Sequence, residues 1–587
     1  MQKFENLKMK KEIPKLKALV LFVLTVCSFS TSAQPDPNQP TEVYPFIVNF
    51  RADEGSLERF YFVPNSEERR ERMTAFYKDQ LAKLEALPFE KMSEGGKVDF
   101  ILMKRELNEE LFQLNKEQTE RSQVARLVSA GDPIYAIEKQ RRRGEFLNSE
   151  QVAKQLNEIF RAIQTSSKKL AQEPNLTRDL AARAEGTIKG QQIALKSVYE
   201  FYYGYDPDFT WWVAKPYRQL DSVMTRSAAS LKNKVDPATL PKDDGSGIIG
   251  NPIGREELIR LLQYEMIPYS PEELIEIANK EFAWCDAELL KASREMGFGD
   301  NWRAAQEKVK QSFVPEGHQP EAMLKLYNES VDFLKKNDLI SIPPLAEETW
   351  RMRMMPPKQQ LISPFFLGGE VLQISYPTNE MNHEDKLMSM RGNNPHFSRS
   401  TVHHELIAGH HLQGFMNNRN KAYRNYRTPF WTEGWALYWE LILWDMNFPQ
   451  SPEDKIGMLF WRMHRCARII FSLNYQLGKW TPQQCIDFLV DRVGHERANA
   501  EGEVRRSFTA NYGPLYQLAY MTGGFQFYAL KKELVDGGKM SYKQYHDAVL
   551  RENSMPVELV RALMINQPLT RDFKTNWKFY KVPGNAK

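Results

Sequence analysis

Helical periodicity over long stretches is the feature that most restricts how this chain can fold. From residue 66 to residue 232, apolar side chains recur at intervals that fit one face of an α-helix. Ser270, followed by Pro271 and two glutamates, is typical of a helix start. We therefore expect a predominantly α-helical protein. Residues 148–172 give the clearest example, with close to helical spacing of Val152, Leu156, Ile159, Phe160, Ile163 and Leu170.

Prolines and short apolar runs interrupt the helical pattern between residues 340 and 377. Residues 361–362, 365–367 and 371–376 are apolar or β-branched, with turn residues between them. This pattern predicts two or three strands at about residues 359–377. Helical patterns return at residue 398, so we expect a large helical shell with one small β-sheet.

The first 33 residues have the three regions of a secretory signal peptide. Six lysines precede an apolar run at residues 18–29, and small residues up to Ala33 follow it. The run is too short to span a membrane. The residues before Cys27 lack the small side chains expected before a lipidated cysteine, which favours cleavage after Ala33. We expect export to the periplasm or the exterior, with no membrane span after signal removal.

The net charge gives no reason to expect a nucleic-acid partner. Residues 1–33 contain six lysines and two glutamates, a charge of +4, and the whole chain is also +4. The mature chain is therefore near neutral, and the basic isoelectric point comes from the signal. Beyond the signal we expect an N-terminal helical region at 34–235 and a helical catalytic region at 236–587, although the two could form one compact unit.

Four of the ten histidines fall within nine residues: His403, His404, His410 and His411. Glu405 directly follows His404, and Glu433 begins a Glu-Gly-Trp sequence. A zinc hydrolase needs imidazole ligands, often a carboxylate ligand, and an open position for water. It also needs a nearby carboxylate that takes the proton of that water. Chance histidines on a packed helix are the alternative, but the adjacent glutamate and Gly409 favour a metal site.

The histidine spacing excludes a straight metal-binding helix. His404 and His410 lie six residues apart, about 9 Å of rise and about 240° of rotation on a regular helix. His411 shares a face with His404 but lies about two turns away. One zinc with bonds of about 2 Å cannot bridge either pair. Either the site is not a simple zinc site, or the helix breaks between Ile407 and Gly409, where glycine tolerates such a departure.

These motifs resemble a bacterial family known as domain of unknown function 885, a distant relative of the zincin-like metallopeptidases. Its H-E-x-x-x-G-H-H-L-Q signature stands at residues 404–413, and E-G-W-A-L-Y stands at 433–438. The resemblance implies one zinc ion bound by His404, His410 and Glu433. It makes Glu405 the general base. His403 and His411 would then support the ligands or contact substrate.

The resemblance extends to two later segments. Residues 514–523 match P-x-x-x-L-x-Y-x-x-G, in which Tyr520 is our choice for the oxyanion donor, with Gln517 close to the substrate. Arg465 and Arg468 resemble a family R-x-x-R pair. Arg468 could hold a substrate carboxylate, or pair with a buried acid such as Glu503, which we favour slightly. The chain departs from the family at Ser472 and Gln476, where an Asp and a His are common.

The sequence thus predicts an exported zinc peptidase in which Glu405 activates a zinc-bound water. A large helical shell around a short catalytic segment favours exo- or oligopeptidase action on small peptides. A zinc amidase acting on a non-peptide substrate is an alternative that the residues do not separate from a peptidase. A catalytically inactive binding protein is a further alternative, although the base and all candidate ligands are present.

Overall fold

Helices make up most of the computed structural model, which describes residues 40–172, 174–360, 362–509 and 512–580. Predicted signal residues 1–33 lie outside this described part. The α-helices and strands, in chain order, are α1 Tyr44–Phe60, α2 Glu67–Glu85, α3 Glu94–Val128, α4 Pro133–Arg143, α5 Ser149–Gln172, α6 Arg178–Tyr202, α7 Pro207–Asn233, α8 Gly254–Tyr264, α9 Pro271–Glu295, α10 Trp302–Lys310, α11 Gln319–Lys336, α12 Pro344–Thr349, β1 Arg351–Met354, α13 Pro357–Gln360, β2 Val371–Ile374, α14 His383–Gly392, α15 Pro395–Glu405, α16 His410–Asn417, α17 Pro429–Asp445, α18 Pro452–Gln476, α19 Pro482–Phe488, α20 Arg497–Thr509, α21 Tyr516–Lys531, α22 Tyr542–Arg551 and α23 Val557–Ile565.

The helices begin where the sequence signals predict. Helix α5 starts at Ser149, and the Asn148 side chain accepts the backbone N–H of Gln151 at 2.9 Å. Helix α9 starts with a complete capping box, in which Ser270 and Glu273 satisfy each other's backbone N–H groups. The predominantly α-helical fold class is thereby confirmed.

The small sheet is present, but its boundaries differ from the prediction. Strands β1 and β2 pair in parallel, with Arg351 opposite Val371. Residues 365–367 form no strand, and only Leu367 makes a single antiparallel bridge, to Gln373. The predicted range of 359–377 therefore missed β1. Its Arg-Met-Arg-Met sequence carries no β-branched or aromatic residue, so no strand signal was visible.

Three apolar cores hold the helices together. One is confined to residues 63–231 and fills the space between helices α3 to α7. A second combines residues of α1 to α3 with α15 to α17 and α21 to α23, so the first helices share a core with the later part of the chain. The third surrounds α9, α18 and α21. The described residues from Thr41 onward belong to one compact unit.

Among the described helices, none combines the length and the apolar character that a membrane crossing requires.

Candidate metal centre

The histidine motif is divided between two helices. Helix α15 ends at Glu405 and α16 begins at His410, so the interruption lies where the histidine spacing requires one. The ring centroids of His404 and His410 are 4.8 Å apart, with planes at 88°. A regular helix would have separated these residues by about 9 Å of rise. The break therefore brings both imidazoles to one place.

The broken segment is buried and its backbone groups are paired. Gly409 donates its N–H to the carbonyl of His403 at 2.9 Å, and the Trp435 indole donates to the carbonyl of Ala408 at 2.8 Å. A Cβ on Gly409 would lie 1.8 Å from the carbonyl oxygen of His404. Only glycine fits this position, because any larger residue would push the two helix ends apart.

Glu433 on α17 completes a set of three converging groups. Its Oε2 atom lies 3.2 Å from Nε2 of His410 and 3.6 Å from Nε2 of His404. Ligand atoms around a tetrahedral zinc are about 3.3 Å apart, given bonds near 2 Å. This oxygen is buried and has no hydrogen-bond partner among the described residues. The two imidazoles outweigh burial and hold the pKa of Glu433 well below its usual value. The set fits a divalent cation.

A close crossing of α17 and α21 fixes the position of Glu433. A Cβ on Gly434 would lie 2.6 Å from the backbone of Gly523, and a Cβ on Gly523 would lie 2.2 Å from the carbonyl oxygen of Phe430. Backbone therefore packs directly on backbone at this crossing. The glycine of the Glu-Gly-Trp motif is explained by packing, and the contact places α21 beside the Glu433 carboxylate.

Glu440 orients the His404 ring by binding its Nδ1 atom, on the side away from the converging set. It lies two turns after Glu433 on α17, and its Oε1 atom accepts from Nδ1 of His404 at 2.7 Å and from Arg465 at 3.0 Å. Nδ1 is therefore the donor, and Nε2 faces the converging set. Burial opposes protonation of His404, but Glu433 and Glu440 outweigh it and raise its pKa to about 9. A bound cation would displace that proton.

Glu405 lies beside the converging set, at the end of α15. Ligand atoms of His404, Glu405 and His410 all lie within 4.8 Å of one another. Burial raises the pKa of the Glu405 carboxyl, which suits a group that both accepts and returns a proton. The loop before β2 packs on it: Gly369 donates its N–H to the Glu405 carbonyl at 3.0 Å. A Cβ on Gly368 would lie 2.3 Å from the Glu405 carboxylate.

Two tyrosines of α21 face the centre. The hydroxyl of Tyr516 donates a short hydrogen bond to Oε1 of Glu433. The ring of Tyr520 stacks on the ring of His404, with centroids 6.1 Å apart and planes at 15°. Both residues line the same cavity, and the structure adds Tyr516 as a second candidate oxyanion donor beside Tyr520.

The centre opens into a cavity of about 620 Å³. This volume lies within the range of pockets that hold one small ligand. Four arginines line it with the candidate site residues: the exposed Arg427 and the buried Arg465, Arg468 and Arg506. Arg468 pairs with Glu503 at 2.6 Å, the structural partner that the sequence suggested, and it also reaches the cavity wall.

Three of the predicted site residues lie away from this cavity. His411 is bound through Nε2 to the carbonyl of Ala346 at 2.7 Å, which leaves His410 as the second histidine of the centre. His403 is buried against Phe448, and burial lowers its pKa to about 4. Gln517 donates to Glu503 at 2.8 Å. The substrate roles suggested for His403, His411 and Gln517 therefore have no geometric support.

Sequence reasoning missed Glu440 and Gly368. The seven-residue spacing from Glu433 to Glu440 places both carboxylates on one face of α17, which could have identified Glu440. No local signal identifies Gly368, because its role depends on a packing contact with Glu405.

Comparisons with known proteins agree with this fold. The family model described as "Bacterial protein of unknown function (DUF885)" matches residues 63–564. A solved "putative lipoprotein of unknown function" from Shewanella oneidensis is 17% identical, with a TM-score of 0.64, and the match covers 89% of this chain and 99% of that one. A "putative lipoprotein" from Colwellia psychrerythraea is 15% identical, with a TM-score of 0.54, covering 85% and 91%. None of the curated proteins matches the chain.

Proposed function

This chain belongs to the bacterial family DUF885, and from its candidate centre we propose that it is an exported zinc-dependent hydrolase, a peptidase of short peptides. The convergence of His404, His410 and Glu433 is the observation that carries the proposal. Two neutral imidazoles and one carboxylate are a common ligand set of catalytic zinc. A bound zinc would lower the pKa of a water molecule and polarise the scissile carbonyl.

The residues around the proposed ligands carry out the remaining steps of the reaction. Glu405 accepts a proton from the attacking water and returns it to the leaving amine. A tyrosine hydroxyl donates to the oxygen that becomes negative when the carbonyl is attacked. Tyr520 remains our sequence-based choice, and Tyr516 is the second candidate because its hydroxyl already lies on Glu433. Replacing each by phenylalanine separates them when zinc content is measured as well: loss of the donor lowers kcat about 100-fold or more at full zinc occupancy, whereas loss of the Tyr516 bond to Glu433 alone acts through zinc occupancy.

Glu440 and Glu433 act on the two sides of His404. Glu440 keeps Nδ1 protonated and so leaves Nε2 available to the metal. Arg465 in turn neutralises Glu440, and together with His404 it holds the pKa of that carboxyl at about 2 despite burial. Glu440 therefore remains ionised at any pH at which the enzyme would work.

One observation favours a small substrate, and another favours export of the protein. The cavity volume of about 620 Å³ suits a short peptide rather than a folded protein. The first 33 residues have the pattern of a secretory signal, and two solved structures of similar fold are titled putative lipoproteins. Mass spectrometry of the mature N-terminus distinguishes cleavage after Ala33 from lipidation at Cys27.

The test combines metal analysis with turnover of a peptide library. We expect about one zinc per chain in the parent and in Glu405→Gln, with peptide cleavage only in the parent. Glu433→Gln should lose both metal and activity, which distinguishes the ligand carboxylate from the base. Absence of zinc from the parent, after reconstitution, would overturn the proposal. Cleavage of acyl amides without cleavage of peptides would indicate an amidase, and peptide binding without turnover a binding protein.

A further inference from the structure

A group of three buried arginines lies at one side of the cavity, beside the candidate metal centre. Arg465, Arg468 and Arg506 are 4%, 2% and 7% exposed, and all three line the cavity. Burying a guanidinium is costly unless an anion compensates it. Each of these three side chains therefore needs an anion close to it.

In the ion pairs of the described residues, this group has three guanidinium groups and two carboxylates. Arg465 is neutralised by Glu440 at 3.0 Å. Arg468 and Arg506 share one carboxylate, Glu503, at 2.6 Å and 2.5 Å. Burial and the nearby arginines keep the pKa of His464 well below its usual value, so this neighbour adds no charge. Two guanidinium groups thus face a single carboxylate in a buried setting.

Arg468 also has an unused donor. Its Nη1 group is buried and has no hydrogen-bond partner within the described part of the chain. A buried donor without an acceptor costs about 1–3 kcal/mol. The Nε group binds Glu503, and the side chain packs over the ring of Tyr520 with its central carbon 4.3 Å from the ring centroid. The guanidinium is therefore held rigidly, in the wall of the cavity, with one donor that has no acceptor among the described residues.

Tyr520 lies between Arg468 and the candidate metal centre and keeps the two close together. Tyr520 is shared between the two sites: its ring lies 6.1 Å from the ring of His404 and 4.3 Å from the Arg468 guanidinium. An extended peptide advances about 3.3–3.6 Å per residue. A carboxylate held at Arg468 therefore leaves room for one or two residues between itself and the bond at the metal.

We propose that Arg468 and Arg506 bind the C-terminal carboxylate of the substrate, so that the enzyme removes one or two residues from the C-terminus of short peptides. This inference rests on the proposed peptidase function. A carboxylate would supply the missing negative charge and accept from Nη1 of Arg468. Arg506, whose Nε is also buried without a partner among the described residues, would complete the site from α20.

The first experiment compares peptides with a free C-terminal carboxylate with the same peptides as C-terminal amides. The parent should prefer the free acid by about 10- to 100-fold in kcat/KM, the effect of a charged hydrogen bond. Arg468→Gln should lose that preference. Arg462→Gln is the matched control, because Arg462 lies on the same helix and pairs with Glu281 but does not line this cavity. It should retain the preference.

The preference ratio separates a binding role from a structural one. Damage to the fold lowers turnover of acid and amide alike, whereas loss of a carboxylate site lowers turnover of the acid alone. If Arg468→Gln does not fold, Arg506→Gln provides the same comparison from α20. Equal turnover of acid and amide by the parent, or an unchanged preference in a folded Arg468→Gln variant, would overturn the inference.

A binding measurement keeps this inference separate from the proposed function. Calorimetry with Glu405→Gln and an N-acetylated dipeptide, as acid and as amide, reads the carboxylate site without turnover. Tighter binding of the acid by Glu405→Gln, together with a parent protein that cleaves no peptide, would support the carboxylate site and count against the peptidase. Peptide cleavage with equal binding of acid and amide would reject the carboxylate site alone.

Discussion

Replacement of Glu440 by glutamine should weaken zinc binding about ten-fold and leave the fold intact. Glu440 accepts two hydrogen bonds through one oxygen, from His404 and Arg465. The glutamine carbonyl can accept both, so the substitution removes the negative charge and little else. The loss of charge makes His404 a weaker base and a weaker ligand.

The expected size follows from these contacts. Loss of a carboxylate that supports a histidine ligand costs about 10- to 100-fold in metal affinity, about 1.4–2.7 kcal/mol. Glutamine should lie at the lower end, because it keeps both hydrogen bonds. Alanine should lie at the upper end and destabilise the protein more, because it leaves the buried Arg465 and His404 without their acceptor.

Competition against a chelating dye measures the zinc affinity, and chemical unfolding measures stability. Glu281→Gln is the matched control: Glu281 is 1% exposed and pairs with Arg462 at 2.7 Å, but it lies outside the metal cavity. Both variants should lose comparable stability, and only Glu440→Gln should lose zinc affinity. Equal zinc affinity in the two variants would refute the role assigned to Glu440.

Three further predictions follow from the same structure. Gly409→Ala should abolish zinc binding and destabilise the fold by more than about 1–3 kcal/mol, because its Cβ would meet the His404 carbonyl. The control is Gly414→Ala on α16, where a Cβ meets nothing within 4 Å; it should be neutral or stabilising by up to about 1 kcal/mol. Similar loss of zinc in both variants would contradict this prediction. Removing zinc with a chelator should lower the free energy of unfolding by about 4 kcal/mol relative to protein at a thousand-fold excess over Kd, and an unchanged Tm would argue against a resident metal. Burial and the nearby carboxylates of Glu54 and Glu106 raise the pKa of Glu110 from 4.5 to about 7. The folded protein therefore loses stability as the pH rises from 4.5 to 7. In urea unfolding, Glu110→Gln should be more stable than the parent by up to about 3 kcal/mol at pH 8 and by almost nothing at pH 4.5.

The helices could be predicted from the sequence because their signals are local. The apolar side chains of α5 that are buried in the structure include Val152, Leu156, Ile159 and Ile163, four of those with helical spacing. The capping box at Ser270 likewise needs only residues within one turn. Strand β1 was not predicted because its stability comes from pairing with Val371–Ile374, each pair being twenty residues apart in the chain, and not from its own side chains.

The sequence by itself showed that the histidine motif must break if His404 and His410 are to share one ion. Six residues of regular helix cannot place His404 and His410 on one ion, so the spacing and Gly409 were sufficient to locate the interruption. Which groups converge was decided only by tertiary structure. Glu433 reaches the histidines because α17 and α21 cross at Gly434 and Gly523, and His411 is turned away by the carbonyl of Ala346. Sequence patterns indicate contacts within one helical turn, whereas the candidate metal centre and the three buried arginines beside it depend on how separate helices pack.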